Sequence, residues 1–69
     1  MFATQLVIWL VKECLPYDED PDSNDVLELL DKYAETGDIQ YLKDAYGHFY
    51  ACTGFYFNGM GYTEVMSKL

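Results

Sequence analysis

A chain of 69 residues with 51% hydrophobic and 17% aromatic side chains makes one small domain near the lower size limit for independent folding, too apolar for a disordered acidic tail. Twelve acids against four lysines, no arginine and a formal net charge of -8 exclude direct binding to nucleic acid or to an anionic membrane, since both rely on clustered basic side chains. The same sign attracts a partner with a basic surface and speeds its association at low salt.

The first predicted element is a helix from Ala3 to Leu15, with Thr4 near its cap, Lys12 in the last turn and Pro16 stopping it. Its run Leu6 to Val11 is apolar without a decisive period, so a buried strand is the alternative there. The run is too short to span a bilayer, lacks a basic flank before it and continues into Lys12 and Glu13, so it reads as neither signal peptide nor anchor. Cys14 and Cys52, the only cysteines, read as reduced, buried small hydrophobes.

Pro16 to Asn24 reads as an irregular loop of prolines and carboxylates. A second helix is expected from Asn24 to Glu35, capped by Asp22 or Ser23 and closed by Gly37 in the left-handed position. Asp38 then caps a third helix, so LLDKYAETGDIQYLKDAY reads as an αα-hairpin. Its tight turn resembles the helical hairpins of ankyrin-type or tetratricopeptide-type repeats. No second copy follows, so the resemblance implies local structure only.

In the third helix, Ile39, Leu42, Tyr46, Phe49 and Tyr50 keep helical spacing, and Gly47, Ala51 and Gly54 make a smooth face for close approach of another backbone. Asn58-Gly59 suits either a cap on a long third helix or a type I′ turn. Thr63 to Leu69 reads as a short closing helix. The fold expected is therefore mainly α: one domain over residues 1–69, of three to four helices around a central αα-hairpin. The alternative is α+β, with a small C-terminal hairpin. Trp9, Leu30, Tyr33, Leu42 and Phe49 should share one core.

Carboxylates carry the strongest functional signal. Asp18, Glu19, Asp20, Asp22, Asp25, Glu28, Asp31 and Glu35 crowd one stretch in which Lys32 is the only base. On helix 2, Glu28, Asp31 and Glu35 cluster on one side with Asp25 at its edge, opposite Val26, Leu30, Tyr33 and Ala34. Carboxylates three or four residues apart stand near the spacing of phosphates along a nucleic-acid strand. Those eight acids are the expected partner-binding residues. The ordinary polar outside of an amphipathic helix would instead mix Lys with Glu.

Asp18, Asp20 and Asp22 hold the first alternating ligand positions of an EF-hand loop. Ser23 stands where Gly is required, Leu29 where the bidentate Glu belongs, and Pro21 stiffens the loop, so no such site is expected. His48 and Cys52 share a helix face at metal-ligand spacing, but two ligands do not make a site; a packed histidine and a core cysteine are the simpler reading. One histidine, no arginine and few hydroxyls supply no nucleophile–base–orienter set. No catalytic residue, metal or cofactor is expected, and the protein should not be an enzyme.

In size, acidity and aromatic content the whole chain resembles the phage-encoded anti-CRISPR and anti-restriction proteins that mimic DNA. That resemblance implies an inhibitor of a basic, nucleic-acid-binding complex, acting as monomer or homodimer in the cytoplasm (the host's, if phage-encoded). The alternative is a helical adaptor or regulatory subunit. It would bind through the aromatic set Tyr46, Phe49, Tyr50, Phe55, Tyr56, Phe57 and Tyr62, which exceeds what so small a core hides.

Overall fold

The computed structural model describes all 69 residues as an all-α domain. Helix α1 spans Phe2–Cys14, a 3-10 turn covers Leu15–Tyr17, α2 spans Pro21–Thr36, α3 Ile39–Thr53 and α4 Tyr62–Lys68. No strand forms, so the mainly α reading holds. The C-terminal hairpin of the alternative shrinks to a single antiparallel bridge between Phe57 and Met60.

Helix α1 resolves the ambiguous apolar run by burying one seam, Leu6, Leu10 and Cys14, at i, i+4 and i+8. Trp9 and Val11 cover its flanks half-buried, while Ile8 stands 51% exposed. The helix starts earlier than its polar residues suggest. Met1 is the N-cap and makes no side-chain bond, so Thr4 lies inside the helix.

The acidic segment is more ordered than its prolines imply. Pro16 sits in the 3-10 turn, and Pro21 opens α2 itself, where the fixed φ of proline suits a helix and its missing N–H is not needed. Asp20, rather than Asp22 or Ser23, caps α2, its Oδ1 accepting from the Asp22 backbone N–H at 2.9 Å. The joint to α3 follows its expected chemistry. Gly37 takes φ 74° at the C-cap of α2, and Asp38 Oδ1 accepts from the Gln40 N–H at 3.0 Å.

Gly54 (φ 70°) ends α3 in the same left-handed way. Asn58 and Gly59 then both adopt positive φ, and the Met60 N–H donates to the Phe57 carbonyl, as a type I′ turn requires. The turn drives Phe57 inward against Trp9 and Phe2, with ring centroids 5.3 and 5.5 Å away. Gly47 receives α4: a methyl group there would stand 3.6 Å from Met66 Cε and 3.7 Å from the Tyr62 ring.

Only 11 of the 69 residues are buried, all of them apolar or aromatic, which fits a slab of 30 × 27 × 16 Å. Leu30, Leu42 and Phe49 belong to this core, whereas Trp9 and Tyr33 pack against it half-buried. Ala34, expected on the apolar side of α2, is exposed. No helix is long and apolar enough to cross a membrane.

Candidate functional site

Asp18, Glu19, Asp20, Asp22, Asp25, Glu28, Asp31 and Glu35 are all exposed. No lysine pairs with any of them, and both ion pairs of the chain belong to His48. Asp18, Glu19 and Asp20 precede α2, and the five acids on the helix divide into two groups. Glu28, Asp31 and Glu35 follow the outer face of α2, while Asp22 and Asp25 turn along its first turns toward α3.

That second group meets the end of α3. His48 Nε2 lies 3.5 Å from Asp22 Oδ1 and 3.9 Å from Asp25 Oδ2. Cys52 Sγ, one turn beyond, is 4.0 Å from the same nitrogen. The donor atoms of Asp22, His48 and Cys52 all lie within 4.8 Å of one another. They border a cleft of about 100 Å³, whose apolar wall includes Val26, Phe49 and Phe55 and to which α1 contributes Glu13.

Cys52 is therefore not a core cysteine. It is exposed, because α3 turns its i+4 face from His48 toward the open cleft rather than toward α1. Partial desolvation, followed by the nearby charge of Asp22 and its hydrogen bond, with Asp20 and Asp25 behind, pushes the Cys52 thiol above its ordinary value. Cys14 is buried as expected. Burial raises its thiol too, a hydrogen bond with Ser23 pulls it back, and Glu13 pushes it up again.

Histidine, thiol and carboxylate together invite comparison with a catalytic triad, and the geometry differs from one. A nucleophile–base–orienter relay uses both ring nitrogens, the thiol on one and the carboxylate on the other. Here thiol and carboxylates converge on the same Nε2. The acids also hold the thiol protonated instead of activating it. Several donors around one point is the arrangement of ligands around a cation.

Sequence reasoning found the His48 and Cys52 pair and missed its carboxylate neighbours. The signal was present in the hairpin register. With the turn centred on Gly37 and Asp38, antiparallel packing sets Asp22 and Asp25 roughly level with Thr53 and Tyr50, beside the His48–Cys52 face.

The same C-terminal turns of α3 carry, on another side, a second surface, an aromatic ladder. Tyr50 stacks on Tyr56 with planes 4° apart and centroids 6.2 Å apart, and Tyr62 lies 5.6 Å from Tyr50. Phe55, Tyr56 and Tyr62 keep 53%, 59% and 42% of their surface exposed. Comparison of the chain with protein families, with curated proteins and with solved structures finds no match to any of them.

Proposed function

We propose that this chain is a non-catalytic, protein-binding inhibitor that offers its acidic face, in place of nucleic acid, to a basic nucleic-acid-binding partner of the anti-CRISPR or anti-restriction kind. The observation that carries the reading is the lack of lysine partners: of eight exposed carboxylates between Asp18 and Glu35 only Asp22 and Asp25 have an ion-pair neighbour, His48, and none is neutralised by a lysine. Mutual repulsion destabilises such a surface in the free chain, and a basic partner relieves it. A structural helix face usually removes the cost internally through i,i+4 pairs of Glu with Lys.

The test is capture of partners from a bacterial lysate on the immobilised chain, eluted with rising salt and with heparin as a competing polyanion. One nucleic-acid-binding complex should leave at moderate salt and be displaced by heparin. Replacing Glu28, Asp31 and Glu35 by Lys should abolish its capture with little loss of helicity, because those side chains point outward and their removal opens no cavity. Single neutral changes should do far less, since several screened contacts share the energy.

The aromatic ladder supports a second reading, that of an adaptor. Alanine at Phe55, Tyr56 and Tyr62 would then remove binding, and salt would have little effect. If the triple Lys variant captures the same partner as the wild type, the inhibitor reading is wrong.

A further inference from the structure

The cleft at the open end of the hairpin shares Asp22 and Asp25 with the proposed acidic face, but His48 and Cys52 give its donor set a chemistry of its own. The donors come from two helices: α2 gives Asp22, α3 gives His48 and Cys52 at i, i+4, and Asp25, one turn beyond Asp22, stands beside this trio within reach of His48. Around a tetrahedral zinc ion, with bonds of about 2.0–2.3 Å, neighbouring N and O ligands stand about 3.3–3.4 Å apart and N and S about 3.5–3.6 Å. The distances from His48 Nε2 are 3.5 Å to Asp22, 3.9 Å to Asp25 and 4.0 Å to Cys52. Each exceeds the ideal edge by about half an ångström or less. Cys52, Asp22 and Asp25 are exposed and His48 is half-buried, so small rotamer changes close that gap without moving either helix.

We infer that Asp22, His48 and Cys52, with Asp25 beside them, form a binding site for a zinc-like divalent transition-metal ion, which clasps the first turns of α2 to the last turns of α3. Imidazole and thiolate donors select zinc, cobalt or copper over calcium and magnesium, which prefer oxygen ligands throughout. The carbonyl end of α3 adds partial negative charge beside the ion. The amino end of α2 opposes it, but Asp20, Asp22 and Asp25 outweigh that half-charge. On binding, the Cys52 thiol gives up its proton to solvent and its sulfur becomes a ligand. This reverses the expectation from the sequence alone, in which the Asp18–Asp22 loop and the His48–Cys52 pair were weighed as separate, incomplete ligand sets.

The inference is independent of any protein partner and is tested on the full chain with cobalt(II) and zinc alone. Stripped with chelator and titrated with cobalt, the protein should develop the visible bands of a tetrahedral ion and a near-ultraviolet thiolate-to-cobalt band. Both should saturate at a single equivalent, vanish on adding zinc and survive excess calcium. Cys52→Ser should lose the thiolate band, and Cys52→Ser, His48→Ala and Asp22→Asn should each weaken binding by more than about tenfold. Zinc should raise the wild-type thermal midpoint by several degrees and leave that of Cys52→Ser nearly unchanged. Faint octahedral absorption, equal competition by calcium, or a cobalt spectrum unaltered in Cys52→Ser would overturn the site. Were a variant to lose helicity, the wild-type spectrum alone still decides between a thiolate site and loose carboxylate binding.

Discussion

Tyr46 is fully buried beside Tyr50 of α3 and Tyr62 of α4, and its hydroxyl finds no hydrogen-bond partner. A buried, unpaired polar group destabilises a fold by roughly 1–3 kcal/mol. Tyr46→Phe keeps the ring and removes the orphan, so it should stabilise the domain by about 1 kcal/mol, a rise of several degrees in Tm for a chain this small. Burial, and secondarily the charge of Tyr50, raises the Tyr46 phenol above 10.0. The folded chain then holds that proton more tightly than the unfolded one. Stability is unaffected well below pH 10 and falls as pH climbs from the unfolded value through the raised folded one. Denaturant midpoints measured across that window should fall less steeply for Tyr46→Phe than for the wild type; parallel curves would contradict the assignment. The two thiols differ in the same manner. A neutral maleimide should label exposed Cys52 in the native protein and reach buried Cys14 only on unfolding, an order that peptide mass mapping reads directly.

Among the elements, the hairpin was the most legible part of the sequence, because Gly37 and Asp38 each have one structural use at that position. Asn58-Gly59 was legible only as a pair of options. Its turn won because Gly54 had already ended α3, which a wheel of apolar positions does not reveal. The start of α2 was misread because proline was treated as a breaker, although at a first turn it favours the helix. The candidate site was half legible: the acids and the His48–Cys52 pair are visible one helix at a time, while their meeting is a property of the packed hairpin. Gly47 was expected to serve close packing, and α4 does approach it. A methyl there meets only ordinary van der Waals distances. Gly47→Ala should therefore stabilise α3 by about 0.5–1 kcal/mol. A loss of stability in a denaturant titration would mean that α4 cannot yield even that space.

At the scale of the whole molecule, the thin slab and the charge act together. Few residues are buried, so the margin of stability is slim, and a formal net charge of -8 spreads over a small surface where no acid pairs with a lysine. Screening that repulsion should raise Tm steadily between about 10 mM and several hundred millimolar sodium chloride, over which the Debye length shrinks from about 30 Å to a few ångströms. A midpoint indifferent to salt would show that the carboxylates stand too far apart to repel one another appreciably. Leu42, fully buried beneath the hairpin, marks the opposite extreme. Its truncation to alanine should cost about 2–5 kcal/mol, enough to unfold much of the population at room temperature.

The joint at Gly37 and Asp38 also bears on how fast the chain reaches this state. Helices α2 and α3 are adjacent in sequence and packed along their length, so most of their pairing closes over short loops, and proteins rich in such local contacts fold in microseconds to milliseconds. Helix α1 must instead wait for a platform that includes Phe49 from α3 and Phe57 from the later turn. A nucleus in the hairpin, with α1 docking after the barrier, would make Leu30→Ala slow refolding and Leu6→Ala chiefly accelerate unfolding. Stopped-flow traces of Trp9 fluorescence, recorded on both arms of the denaturant dependence, separate the two. Equal slowing of refolding by both truncations would place α1 inside the nucleus, and the order of assembly would then be set by the aromatic cluster rather than by the turn.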